Sequence, residues 1–280
     1  MADSITATIR YVQKENYRLT SEKPYILHYA APTGFPQNNF SIKSYPNITV
    51  NNLRTTNLDY SDHGIKIAKI DSSQMRPENF DDDEWIESVY LPELHSCICK
   101  ALGAEDVTIF DWMLRKRTKS FPRREGEDDT EGAAQPSLSA HIDYTTPELA
   151  GRLDKYFGEN KEKMMQRKYQ VINIWKPLTG PCKDYPMAYL DPKSVDRDDD
   201  LLVVDEVFPT VVNEVFQVHF NPNHKWYYVP DQLDSEVAIF NAFDSEKGQD
   251  IAVPHCSFDL REMGSGIPRQ SIEVRAFAFF

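Results

Sequence analysis

Alternation of apolar and polar residues with a period of two dominates the second half of this chain. Tyr169–Trp175, Met187–Leu190, Leu201–Val204, Val211–Phe220, Lys225–Val229, Val237–Phe243 and Ser271–Phe280 are short runs rich in β-branched and aromatic residues. Turn formers bound most of them, which predicts strands. The first third holds fewer: Thr6–Val12, Tyr25–Ala30 and Gly64–Ile70, with a return to strand character at Val107–Leu114. A period near 3.6 appears twice. Trp85, Val89, Leu91, Leu94, Ile98 and Leu102 predict a helix over 77–103, with acids in its first turn, Gly103 as its stop and Pro92 as a kink. Thr146 as cap and Pro147 behind it open a second helix, to Gln166. Residues 116–135 are polar and charged, and read as a loop or as a lid over whatever follows.

Many strands with few helices predict a mainly β fold with flanking helices: a double-stranded β-helix, the cupin-like jelly roll. We expect one domain over 1–280, with 1–104 as a β/helical flank packed on a core at 105–280. Glycine numbers 11 of 280 residues, and no Gly-rich fingerprint follows a strand, which excludes a dinucleotide-binding or P-loop reading.

The candidate chemistry lies on the strands. His141-Ile142-Asp143 puts two ligand types at i and i+2, which on a strand share one face. His255 follows far downstream, and Arg269-Gln270-Ser271 after it. Two imidazoles and one carboxylate make the facial triad that leaves open positions on a ferrous ion. An arginine with a nearby hydroxyl makes a carboxylate clamp. The order H-x-D, H, R-x-S therefore predicts a non-haem Fe(II) oxygenase that takes 2-oxoglutarate and O2. On the last strand Arg269, Ser271, Glu273 and Arg275 share a face, with Arg269 and Ser271 expected nearest the mouth. His219 and His224 compete as third ligand: His219 reads as a buried structural histidine, His224 as solvent-facing in a turn. Asn173 reads as a group for the cosubstrate's C1 carboxylate or the substrate, or as a structural amide. Tyr227 and Tyr228 face opposite ways, and one of them could donate its phenol to a carboxylate. Lys176, Arg115 and Arg117 read as surface charges, or as charge for an acidic substrate.

Net charge of −13 argues against nucleic acid or an anionic membrane as partner. No secretory leader is evident, and no apolar run approaches the roughly 18 residues that span a bilayer. The four cysteines form no CxxC pair or zinc pattern. A cytoplasmic protein with a small-molecule substrate is expected; the oligomeric state is left open.

Several stretches resemble, in order, the fungal Fe(II)/2-oxoglutarate oxygenases that include the aspergillic-acid hydroxylase and the gibberellin desaturase. They are Gln170–Leu178, Asp184–Ala188, His224–Pro230, Glu236–Phe240, Phe243–Ser245, Pro254-His255 and Pro268–Arg275. The resemblance implies hydroxylation, desaturation or oxidative ring formation on a small natural-product or amino-acid-derived molecule in secondary metabolism. It implies His141, Asp143 and His255 as iron ligands. It implies Arg269 with Ser271 on the cosubstrate's C5 carboxylate, or Arg275 instead if Arg275 is not taken by Glu273. An iron oxidase that does not use 2-oxoglutarate and a non-catalytic cupin-like binding module are the alternatives.

Overall fold

Two sheets face each other, and the period-two pattern decides what each turns inward. The computed structural model describes residues 3–14, 22–118, 121–122, 134–260 and 267–280. Most of the expected lid segment, at 119–120 and 123–133, lies outside the described residues. In chain order the strands are β1 (Ser4–Val12), β2 (Tyr25–Leu27), β3 (Ile42–Asn52), β4 (Ile65–Lys69), β5 (Asp106–Lys116), β6 (His141–Ile142), β7 (Tyr169–Pro177), β8 (Met187–Leu190), β9 (Leu201–Val207), β10 (Val212–Val218), β11 (Trp226–Tyr228), β12 (Glu236–Asp244), β13 (His255–Ser257) and β14 (Gln270–Phe279). The larger sheet has the order β1-β3-β11-β8-β13-β6-β10-β9-β2, and the smaller β4-β12-β7-β14-β5. This is the expected jelly roll. Residues before 104 supply β1 to β3 to the larger sheet and β4 to the smaller.

β3 is the long strand that the pattern misses. Its sequence, IKSYPNITVNN, carries a proline and is mostly exposed, so it lacks a continuous apolar face. β1 then bridges Ser139 and His219. The curl encloses a core of Ile9, Tyr11, Ala140, Leu190, Trp226, Tyr228 and Cys256 on the face away from the triad.

In the smaller sheet, alternate residues do different work. Ile172, Ile174, Val237, Ile239, Ile272, Val274 and Ala276 point outward and pack under Leu94, Cys97 and Ile98 of the helix Leu91–Leu102. The intervening residues point between the sheets, where apolar Trp175, Ala238 and Phe240 stand with polar Asn173, Ser271, Glu273 and Arg275. The helical stretch over 77–103 is not one regular helix. A 3-10 turn at Pro77–Asp81 and a short α turn at Asp83–Trp85 lead into a π-helical turn at Ile86–Tyr90 before the α-helix. Pro92 has no N–H to donate back along the chain, and the wider turn, with Leu91 N–H on Ile86 O, accommodates it. The second helix is capped by Thr145 rather than Thr146 and ends at Phe157, with Gly158–Asn160 and Lys161–Met165 as separate turns.

Lys176 is not a surface charge. It lies on the outward, apolar face of β7, 1% exposed, with Nζ 5.2 Å from the Phe80 ring centroid and 3.4 Å from Pro177 O. Burial pushes its pKa down to about 8, against a small opposing pull from Asp234. The unfolded chain, with an ordinary lysine near 10.4, binds more protons than the folded one between those values. Stability therefore rises with pH across that window, and below pH 8 the buried ammonium destabilises by about 1–3 kcal/mol. Lys176→Met is expected to raise the melting temperature at pH 7, with the gain shrinking toward pH 10. A Tm series over that range that showed a loss at pH 7 would overturn the account.

Candidate metal centre

His141, Asp143 and His255 meet at one point between the sheets. One ligand atom from each lies within 4.8 Å of the others, and all three residues are buried. Cross-strand register produces the meeting: His255 on β13 pairs directly with His141 on β6, and paired residues share a face. The imidazole centroids are 4.5 Å apart. Asp143, two residues beyond His141, turns Oδ1 to 3.3 Å from His141 Nε2 and 3.8 Å from His255 Nε2.

The tautomers follow from the partners. His141 Nδ1 donates to Ser139 O at 2.8 Å and His255 Nδ1 to Val253 O at 3.2 Å. A carbonyl only accepts, so in each neutral imidazole Nε2 keeps the lone pair that a metal would take. Burial, then the neighbouring His141, pushes the His255 pKa down to about 4, so this imidazole is neutral at physiological pH. Burial lowers His141 too, but the bond to Asp143 outweighs it and the net direction is upward. Burial alone would raise Asp143; Arg275 and the two imidazoles hold it well below the usual carboxylate range.

The other expected residues divide. Facing rows run across the smaller sheet: Phe240, Asn173, Arg275 and Asp111 in one, then Ala238, Trp175, Glu273 and Met113, then Pro177, Ser271 and Arg115. Asn173 Nδ2 and Arg275 Nε each donate to Asp143 Oδ2 at 2.9 Å. Arg275 gives its remaining arms to Asp111 Oδ2 at 2.8 Å and Glu273 Oε1 at 3.1 Å. Every arm of Arg275 already holds a carboxylate of the protein itself.

Arg269 differs. Its Nη1 donates to Tyr185 O at 2.6 Å and Ser257 Oγ at 2.5 Å, while buried Nε and Nη2 have no partner, nor has Ser271 Oγ. The guanidinium lies 5.5 Å from the Trp175 ring centroid. Burial pushes its pKa down to about 10, which leaves it charged at neutral pH. A charged, buried group with unused donors is costly unless an anion completes it. Arg269 and Ser271 are 2% and 0% exposed. They sit deep, not at the mouth as the strand order suggested. The exposed end of this network is Asp111, whose side chain is 39% exposed.

Tyr228 does not reach the site: it packs in the far core, edge-on to Phe258 at 5.6 Å. Tyr227 shares the face of His255, but Tyr189 stands between them in the register, placing Tyr227 two strands away, about 10 Å. Sequence alone assigned no site role to Tyr189 and Ser257, and none to Trp175 beyond sharing a face with Asn173; the buried Tyr189 hydroxyl and Trp175 indole N–H are unpartnered. Extending the alternation by two from His255 and from Asn173 finds Ser257 and Trp175; only register finds Tyr189. His224, expected in solvent, has its side chain tucked in at 2% exposure, with Nε2 at 3.0 Å from Asp200 Oδ2 and Nδ1 at 3.3 Å from Tyr11 OH. His219 is buried on Val12 O, as expected of a structural histidine.

Fold and site together define a jelly-roll protein with a two-histidine, one-carboxylate candidate metal centre. The family described as YDMC, the oxidoreductase/YMDC permease-like domain, matches residues 9–279, and the chain belongs to it. Among the described residues no helix is long and apolar enough to cross a membrane. An α-ketoglutarate-dependent dioxygenase of Talaromyces stipitatus, tstK, is 29% identical over 239 residues, covering 83% of this chain and 84% of that protein. The gibberellin cluster GA4 desaturase of Gibberella fujikuroi is 34% identical over 122 residues, 41% of this chain and 35% of its own. The solved structure of the iron and α-ketoglutarate-dependent endoperoxidase NvfI superposes with a TM-score of 0.84 at 24% identity, covering 100% of this chain and 99% of that one. The resemblance drawn from the sequence motifs is borne out.

Proposed function

We propose that the protein is a non-haem Fe(II)- and 2-oxoglutarate-dependent oxygenase acting on a small natural-product or amino-acid-derived molecule. One observation carries the reading: His255 of the triad shares β13 with Ser257, which accepts from Arg269, a buried arginine with two unused nitrogens close in sequence to the unpartnered Ser271 hydroxyl. A facial-triad iron and a dicarboxylate cosubstrate need those two sets side by side. The names of the relatives agree with it. Free cysteines accord with a cytosolic location, which belongs to the same proposal.

The ion would be held by Nε2 of His141, Nε2 of His255 and Oδ1 of Asp143. With 2-oxoglutarate and O2 it supplies the oxidising power for an unactivated carbon. The protein's own groups bind and orient. Arg269 offers two parallel donors to the far carboxylate of the cosubstrate, and Ser271 a third. Tyr189 on the larger sheet, whose hydroxyl burial keeps protonated, and the Trp175 indole N–H on the smaller are further donors between the sheets. Phe240, at 4.6 Å from the His255 ring, and Trp175 help exclude water there. Hydroxylation, desaturation and oxidative ring formation all share these requirements.

Anaerobic titration of the Fe(II)-loaded protein with 2-oxoglutarate tests the proposal. A weak visible charge-transfer band, followed by succinate release when oxygen and a substrate are added, is the expected result. Iron without a band would favour an oxidase that does not use 2-oxoglutarate, and failure to bind iron would favour a binding module.

A further inference from the structure

Asp143 has two oxygens, and the protein assigns them different tasks. Oδ1 faces the imidazoles. Oδ2 is occupied by Asn173 Nδ2 and Arg275 Nε, each at 2.9 Å. We propose that Asn173 and Arg275 are positioning residues that keep Asp143 a one-oxygen ligand. The inference rests on the metal reading of the triad given above.

The chemical need is specific. A carboxylate that closed both oxygens on the metal would take one of the positions that cosubstrate and oxygen require. Turning Oδ2 toward the imidazoles would break two charge-assisted hydrogen bonds at a buried carboxylate. The donors are themselves held. Asn173 stands on β7, opposite Arg275 in the ladder. Arg275 is anchored by Asp111 and Glu273, and Glu273 accepts in turn from Arg115 Nε at 3.3 Å. A planar guanidinium tied to three carboxylates cannot rotate to follow one of them. Asn173 has no freedom to flip its amide either, because its oxygen would then face Asp143 Oδ2. A lysine at 275 would keep the charge and lose the fork.

That difference supplies the test. Co(II) is titrated into full-length wild type, Arg275→Lys and Asn173→Leu, followed by its visible absorption, with circular dichroism to verify folding. Arg275→Lys leaves the charge beside Asp143 unchanged, so a change in affinity reports geometry. Asn173→Leu removes one uncharged donor and serves should the arginine variant fail to fold. Both variants are expected to bind Co(II) roughly 10- to 100-fold more weakly, as is usual when a partner of a ligand is lost. Both are also expected to show an altered band pattern, because the coordination of Asp143 changes. Folded variants with wild-type bands and affinities within about twofold of wild type would overturn the inference and leave the proposed function intact. A wild type that took up no Co(II) would overturn both.

Discussion

Alanine at Asp143 or at His255 is expected to remove iron binding and, with it, all iron-dependent turnover. Each of the three ligand atoms lies within 4.8 Å of the other two, and none has a substitute within the cluster. Glu273 is another buried carboxylate, 4.0 Å from His255 Nε2, but its oxygens are engaged by Arg275 and Arg115. The loss should therefore be near-complete for any one ligand, His141 included, and not additive between them, since residues acting as a unit fail as a unit. Equilibrium dialysis against Fe(II) or Co(II) reads it directly. His224→Ala and His219→Ala are the controls: both side chains are buried and hydrogen-bonded elsewhere, so they should lower stability and leave metal stoichiometry alone. A His255→Ala protein with full activity would take His255 out of the site.

Arg269→Leu is expected to spare the metal and raise the 2-oxoglutarate requirement. Truncating one partner of a buried charge pair costs about 3 kcal/mol, which corresponds to roughly a 100-fold rise in the concentration needed. Leucine removes the two unpartnered nitrogens together with the bonds to Tyr185 O and Ser257. Metal binding measured without cosubstrate should stay near wild type, because Arg269 makes no contact with Asp143 or the imidazoles. An unchanged 2-oxoglutarate requirement would reassign the clamp. It would not pass to Arg275, whose three nitrogens already serve Asp143, Asp111 and Glu273.

The two arginines show how far a one-dimensional pattern reaches. Arg275 lies on the inward face of the last strand and Arg269 one residue before that strand begins, six residues apart, and by type and parity either could bind an anion. Their difference is a matter of who stands opposite. Asn173 and Asp111 flank Arg275 in the ladder, and Asp143 approaches it from the other sheet. Arg269 meets a backbone carbonyl and a hydroxyl, which leave its charge uncompensated. Lys176 carries the same lesson in reverse. Its alternation with Trp175 places it outward, but outward here is a second core beneath a helix, because the smaller sheet is covered on both faces. His224 sits in a turn, and turns are usually wet; this one is closed over by Tyr11 as β1 curls across the larger sheet.

By itself the sequence determined the jelly roll, through strand-length alternation that suits little else. It pointed to the candidate triad and to the arginine–serine pair as well, because residue type, spacing of two and order along the chain are local properties. The tertiary structure decided which atoms of those residues are free. It brought Tyr189 beside His255, moved Tyr228 away, committed Asn173 and Arg275 to one oxygen of Asp143, and left Arg269 with donors to spare. The physical reason is that a hydrogen-bonding group becomes available or committed only through its neighbours in space, and cross-strand register and sheet closure choose those neighbours.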